Sequence, residues 1–173
     1  MIVISDTNIL SSLAAGNIFS ALFQLFASPD IHIPPAVFQE LQAGMNIGKT
    51  YLAPVLQAIA SEQIAILALS PYEEQLAQSY PSRLNLGECQ AIALAHARNS
   101  LLLSNDKRAI RYCQAQAIRV LNLENILRQL WIRKILSPTV VRQAIKQMAS
   151  IEQLVIPPER QAVIFAPSTI DDR

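Results

Sequence analysis

Four carboxylates in this 173-residue chain stand where an acid can do more than face water. Asp6 follows the run Ile2-Val3-Ile4-Ser5, and Asp106 follows Leu101-Leu102-Leu103-Ser104. Short apolar runs of this kind suit strands buried on both faces. Glu88 follows Gly87 at the start of a predicted helix, and Glu40 lies on the predicted helix after Ile31-His32-Ile33. In an open parallel sheet, ligands bind in the crevice outside the carboxyl ends of the strands. Asp6 and Asp106 would project from that edge, with Glu88 and Glu40 reaching it from flanking helices. Carboxylates grouped in this way raise one another's pKa unless a cation holds them charged. An oxygen-only set suits a hard ion, Mg²⁺ or Mn²⁺. Such an ion activates water and neutralises charge developing on a phosphoryl group. Each acid taken alone also reads as a helix cap or a solvated side chain; for Asp6 the N-cap and the site are equally good readings.

The elements that would position these acids alternate. Helices are predicted over Asn17–Ala27, from Pro35 to Ala43 with Gly44 as the stop, and over Leu52–Ser61. Others open at Pro71 and run over Leu86–Asn99, from Asp106 to Ala115, over Glu124–Arg133 and over Pro138–Met148. Strands are predicted at Ile2–Ile4, Ile31–Ile33, Ile64–Leu69, Leu101–Leu103 and Ile118–Leu121. Ser28-Pro29-Asp30 and Ser79–Ser82 read as breaks, residues 45–50 as a loop, and Ala162–Phe165 as an apolar segment of unassigned form. Strand–helix alternation points to an α/β domain with a parallel sheet covered on both faces.

Composition bounds the rest. Hydrophobic residues make up 51% and charged residues 16%, which excludes disorder. Cys89 and Cys113 lie in helical, apolar surroundings and read as reduced core thiols. Two cysteines with His32 and His96 do not have zinc-site spacing. No secretory signal or membrane span is evident, so a soluble, cytoplasmic protein without a membrane partner is expected. Net charge is +1, yet residues 98–146 hold ten of the fourteen bases and two of the thirteen acids. That segment is +8 against −7 for the remainder, which suggests a polyanionic partner for one side, unless the bases are simply solvated helix faces.

The order of the acidic pieces adds a resemblance. Asp6-Thr7-Asn8, with Leu10 beyond, resembles the opening of a PIN domain. Val37-Phe38-Gln39-Glu40-Leu41 resembles that family's second acidic element, and Leu86-Gly87-Glu88 with Ala91–Ala95 the third. Leu102–Asp106 with Arg108-Ala109 resembles the fourth. The resemblance implies a single three-layer α/β domain over residues 1–150, with extra C-terminal helices and a tail, 151–173, packed on the same domain. It further implies an endoribonuclease dependent on Mg²⁺ or Mn²⁺, as in VapC-type toxins, with RNA as substrate, an antitoxin protein as partner and self-association as a dimer. In that scheme Asp6, Glu40, Glu88 and Asp106 are catalytic, and Asp6, Glu88 and Asp106 hold metal directly or through water. Asn8, Ser104 and Asn105 orient ligands, and Lys107, Arg108 and Arg111 contact RNA phosphates.

Two positions depart from the family branch with a Gly-Glu helix start. Asn85 stands near where that branch commonly has an acid, and Asn105-Asp106 replaces a pair of acids. Both remove charge from the site. A PIN-fold module that binds nucleic acid or protein with weak or no catalysis is therefore the alternative. A phosphotransfer domain with Asp6 as phospho-acceptor is a third reading, disfavoured by Asn8 where some such folds have a second Asp. Trp131 and Leu130, with Ile126, Leu127 and Ile135, form a stripe that reads as core or as a dimer face.

Overall fold

The structure, a computed structural model, describes residues 2–26 and 31–167. In chain order the elements are β1 (Val3–Ser5), α1 (Thr7–Ala15), α2 (Leu22–Leu25), β2 (Ile31–Ile33), α3 (Pro35–Asn46), α4 (Ala53–Ala60), β3 (Ala65–Ile66), α5 (Pro71–Gln78), α6 (Leu86–Ala97), β4 (Leu101–Leu103), α7 (Lys107–Ala115), β5 (Val120–Leu121), α8 (Leu123–Ile132), α9 (Pro138–Glu152) and α10 (Pro158–Ile164). The five strands form one parallel sheet in the order β3-β2-β1-β4-β5. The chain builds outward from β1 on one side and then restarts at β4 on the other. The topological switch therefore falls between β1 and β4, in register through Ser5 and Leu103.

Alternation along the strands feeds two cores. Val3, Ile31, Ile33 and Leu103 pack with residues of α1, α3, α4, α8 and α9. Ile4 and Leu102 face the opposite side, against residues of α6 and α7. The three-layer α/β architecture follows. Helix α6 is apolar almost all round, with Ala91 to Ala95 at most 1% exposed, as befits a helix enclosed on every side. Cys89 and Cys113 are buried free thiols in that second core.

Several boundaries differ from the sequence-based expectation, each for a local reason. The single helix predicted over Asn17–Ala27 is a 3₁₀ turn at Phe19–Ala21 followed by the four-residue α2. Asn17 has φ 55°, in the left-handed region, so a right-handed helix cannot begin there. Ala27 and the predicted break at Ser28–Asp30 lie outside the described residues, as do Met1 and residues 168–173 of the tail. Gly44 does not end α3. It is buried inside the helix, where a Cβ would come 2.8 Å from Leu52 Cδ1. The turn is made by Gly48, at φ 97°. The predicted edge strands shrink to two residues each, β3 and β5. The apolar segment Ala162–Phe165 forms the end of α10 and the turn after it.

Most of the stripe on α8 is core, with Trp131 and Ile135 half-buried at its margin. Ile126, Leu127 and Leu130 are fully buried, and Trp131 stacks near Phe165 and donates to Ile164 O at 2.7 Å. At least three of the ten bases of the basic segment make contacts within the molecule. Arg98 bridges Glu73, Arg128 donates to the carbonyls of Val163, Ile164 and Ala166, and Arg142 lies 3.7 Å above the Phe165 ring.

Gly16, after α1, is where α9 comes close. A Cβ there would meet Met148 Cε at 2.6 Å and Ala144 Cβ at 3.2 Å. Gly16→Val is expected to cost about 1–3 kcal/mol by overpacking, read as a lower urea midpoint. An unchanged midpoint would mean that α9 does not seat on α1 as described.

Candidate functional site

The site lies at the switch point. Asp6 N donates to Leu103 O at 3.0 Å, so the residue after β1 is tied directly to the end of β4. The Asp6 side chain caps α1, accepting from Ile9 N at 3.0 Å through Oδ1. Asp6 is only 2% exposed, and its other oxygen, Oδ2, is enclosed without a hydrogen-bond partner among the described residues. An ionised carboxylate left in that state is costly. Burial pushes the Asp6 pKa up to about 7, and the Glu88 charge adds to the rise. The nearby Ser104 hydroxyl and the amides of Ile9 and Asn105 pull in the opposite direction, although of these only Ile9 N is placed for a regular hydrogen bond.

Each neighbouring acid also commits one oxygen locally. Asp106 caps α7, with Oδ1 accepting from Arg108 N at 2.8 Å and Ala109 N at 2.9 Å. Glu88 forms a capping box at the start of α6: Asn85 N donates to its Oε2 at 3.0 Å, and its own N–H donates to Asn85 Oδ1 at 2.7 Å. Asn85 thus does the capping work that an acid there would do, without adding charge. The Glu88 pKa is raised, first by burial and also by the charges of Asp106 and Glu40, while Asn85 and Arg108 lower it. Glu40 accepts from the Thr7 hydroxyl, and its carboxylate rests on Gly87, where a Cβ would come 2.6 Å from Oε1. Gly87 is therefore the space that lets Glu40 approach.

The four predicted acids lie around this edge as neighbours of Glu88, which feels the charges of Asp106 and Glu40 and acts in turn on Asp6. Ser104 is buried and its Oγ accepts from Asp106 N at 3.3 Å. Asn8 and Asn105 line a cavity of about 510 Å³ that borders the edge at Asp106, the one acid of the four in its wall. The three predicted phosphate contacts divide. Arg108 and Arg111 line one cavity, whereas Lys107 lines another beside Asn105 and Glu124.

The same large cavity holds groups that sequence reasoning passed over. Lys49 lines it, and so does Glu152, the last residue of α9. Glu152 accepts from the hydroxyls of Ser11, Ser12 (2.8 Å) and Tyr51 (3.0 Å). The one signal in the sequence is an acid at a helix C-terminus, where the macrodipole disfavours negative charge. Three hydroxyl donors offset that, and their placement depends on α1 and α9 packing together.

A PIN-domain family model matches residues 2–166. The chain belongs to the PIN-domain family. Among solved structures, a chain of VapBC2 from Rickettsia felis, bound to a DNA fragment from its promoter, aligns with this PIN domain at a TM-score of 0.52. The alignment covers 70% of this chain and 98% of that one at 21% identity, a likeness of fold. A comparison with curated proteins gives no match.

Whether the donors of this PIN domain fit a metal ion can be judged from their chemistry. Among the described residues, no three His, Cys, Asp or Glu side chains are gathered closely enough to grip an ion together. A tight all-protein cage, as for zinc, is not what the edge offers. A hard ion that keeps several waters needs only one or two carboxylates. The enclosed, unpartnered Asp6 Oδ2, with acids around it, fits that demand. Among the described residues no helix is long and apolar enough to cross a membrane.

Proposed function

We propose that this PIN domain is a divalent-metal-dependent endoribonuclease that hydrolyses RNA phosphodiester bonds and acts as the toxin of a toxin–antitoxin pair. The observation that carries the nuclease reading is Asp6 Oδ2, a buried carboxylate oxygen lacking a partner at the switch point of the sheet. Family membership supports it, and the fold shared with a chain of a VapBC complex supports the pairing with an antitoxin.

In this reading Asp6 would hold Mg²⁺ or Mn²⁺, with Glu88 and Asp106 joining directly or through water. The ion would supply an acidic water and neutralise charge on the phosphoryl oxygens. Thr7 fixes one oxygen of Glu40, and Glu40 Oε1 takes the proton from the attacking water. Water oxygen bonds to phosphorus, one P–O ester bond breaks, the leaving oxygen takes a proton from solvent water, and the strand ends as one hydroxyl and one phosphomonoester. Asn8, Asn105 and Ser104 orient these groups by hydrogen bonds. Asn at 85 and 105 lowers the charge of the site, consistent with modest metal affinity.

Single-stranded RNA incubated with the full chain and Mg²⁺ or Mn²⁺ is expected to be cut, and EDTA to stop the cutting. RNA left intact with protein in excess and metal present would sink the proposal. RNA retained but uncut would point to the binding module.

A further inference from the structure

A second cavity of about 340 Å³ is lined by Pro81, Arg83, Leu84, Arg108, Arg111 and Tyr112. Its cations come from two parts of the chain. Arg108 and Arg111 sit almost one turn apart on α7, and Arg83 lies in the turn before α6. All three are exposed at the cavity wall, and no carboxylate of the described residues lines it. Their internal ties are slight. Arg111 Nε donates to Lys107 O at 3.3 Å, Arg108 Nε lies 3.7 Å from Asp106 Oδ1, and Arg83 has no hydrogen bond or ion pair among the described residues. Three guanidinium groups around one concavity repel unless an anion joins them. Their planar donor forks match phosphate oxygens.

The fourth functional wall is aromatic. Tyr112 is half-buried and held edge-on by Tyr80, with ring centroids 5.1 Å apart at 60°. Arginine and a fixed aromatic ring together form the combination that binds single-stranded nucleic acid, one for the backbone and the other for a base. Arg108 joins this cavity to the acidic edge through its contact with Asp106.

We infer that the Arg83–Arg108–Arg111–Tyr112 cavity is a subsite for one nucleotide of single-stranded RNA next to the cleaved bond, holding its backbone phosphate on the arginines and its base against Tyr112. The inference deepens the ribonuclease reading and rests on it for the identity of the polymer.

Binding of a fluorescent single-stranded RNA to the full chain, followed by anisotropy in EDTA across a salt series, tests it without cleavage. Arg83→Ala/Arg111→Ala is expected to weaken binding at least about ten-fold at low salt and to flatten the log–log salt slope by about 0.7 for each phosphate that is no longer neutralised. Lys146→Ala, on α9 away from this cavity, is expected to leave both unchanged. Equal affinity and slope in the double variant and wild type would overturn the subsite. RNAs with a 5′-hydroxyl and a 5′-phosphate should lose affinity equally; a loss confined to the phosphorylated RNA would overturn the backbone assignment in favour of a terminal phosphate. Photocrosslinking of 5-iodouridine RNA should label Tyr112, and labels found only elsewhere would overturn the base contact. If RNA stays uncut with metal while the binding difference persists, the ribonuclease reading falls and the place beside a cleaved bond with it, while the nucleotide-binding cavity stands. If RNA is cut but the double variant binds like wild type, the subsite falls alone.

Discussion

Asp6→Asn is expected to reduce metal-supported RNA cleavage by more than about a hundred-fold, beyond the ten- to hundred-fold loss typical of groups that only support a ligand. The substitution is close to isosteric. Asparagine retains an acceptor for Ile9 N, so the α1 cap survives, and Asn and Asp cap helices about equally well. What it removes is the negative charge on the enclosed oxygen that has no protein partner. Two readouts separate a metal role from a structural one. Calorimetric titration with Mg²⁺ or Mn²⁺ should show binding to wild type and none to the variant. Metal at a hundred times Kd should stabilise the wild type by about 2.7 kcal/mol, as for any ligand that binds only the folded state, and so raise its melting temperature. The variant should not respond. If Asp6 served only as a helix cap, both proteins would bind metal and cut RNA alike, and the proposed site would be wrong.

The second large effect is on stability without metal. The Asp6 pKa is raised by burial to about 7, whereas an unfolded aspartate titrates near its ordinary value of about 3.9. Between those pH values the folded chain binds a proton that the unfolded chain has released. Stability therefore falls as pH rises from about 4 to about 7 and levels off above that. Three pH units correspond to about 4 kcal/mol at most. Glu88, also raised by burial, acts in the same direction. Glu73 acts in the opposite direction: Arg98 holds its pKa down at about 2, so that contribution is present above its unfolded pKa and disappears as pH falls toward 2. The EDTA-treated protein should thus be most stable in mildly acidic solution, near pH 4–5, with the alkaline side set by Asp6. Urea unfolding of wild type and Asp6→Asn from pH 5 to 8.5 is the measurement. Wild type should lose a few kcal/mol across that range, the variant should lose much less, and Mg²⁺ should restore wild type at the alkaline end. Parallel curves for the two proteins would show that the buried carboxyl is not the source.

The parts of the fold that were legible are those with local causes. Apolar runs ending in Ser-Asp or Ser-Asn-Asp marked β1 and β4, and both acids cap the helices that follow. The Gly-Glu step marked α6, whose capping box depends on residues three apart. The misread parts turned on distant contacts. Asn17–Ala27 has helical spacing, yet buried Ile18, Phe19, Leu22 and Leu25 pack in a turn and a short helix instead. Gly44 has the composition of a helix stop and the environment of a packing contact. The +8 segment was a correct count, but Arg98, Arg128 and Arg142 make contacts within the molecule, and of the other seven bases only Arg108 and Arg111 line the cavity that Arg83 shares.

By itself the sequence determined the α/β class, the four acids and their order along the chain, because strand runs and helix caps are written in neighbouring residues. Only the tertiary structure decided that β1 and β4 lie side by side, so that Asp6 and Asp106 share one edge. It alone buried Asp6 Oδ2 without a partner, let Glu40 in over Gly87, and carried Glu152 and Arg83 from distant segments to the cavities around that edge. The reason is physical: burial, and the charge shifts that follow from it, belong to surroundings that the packed layers create and no stretch of chain contains.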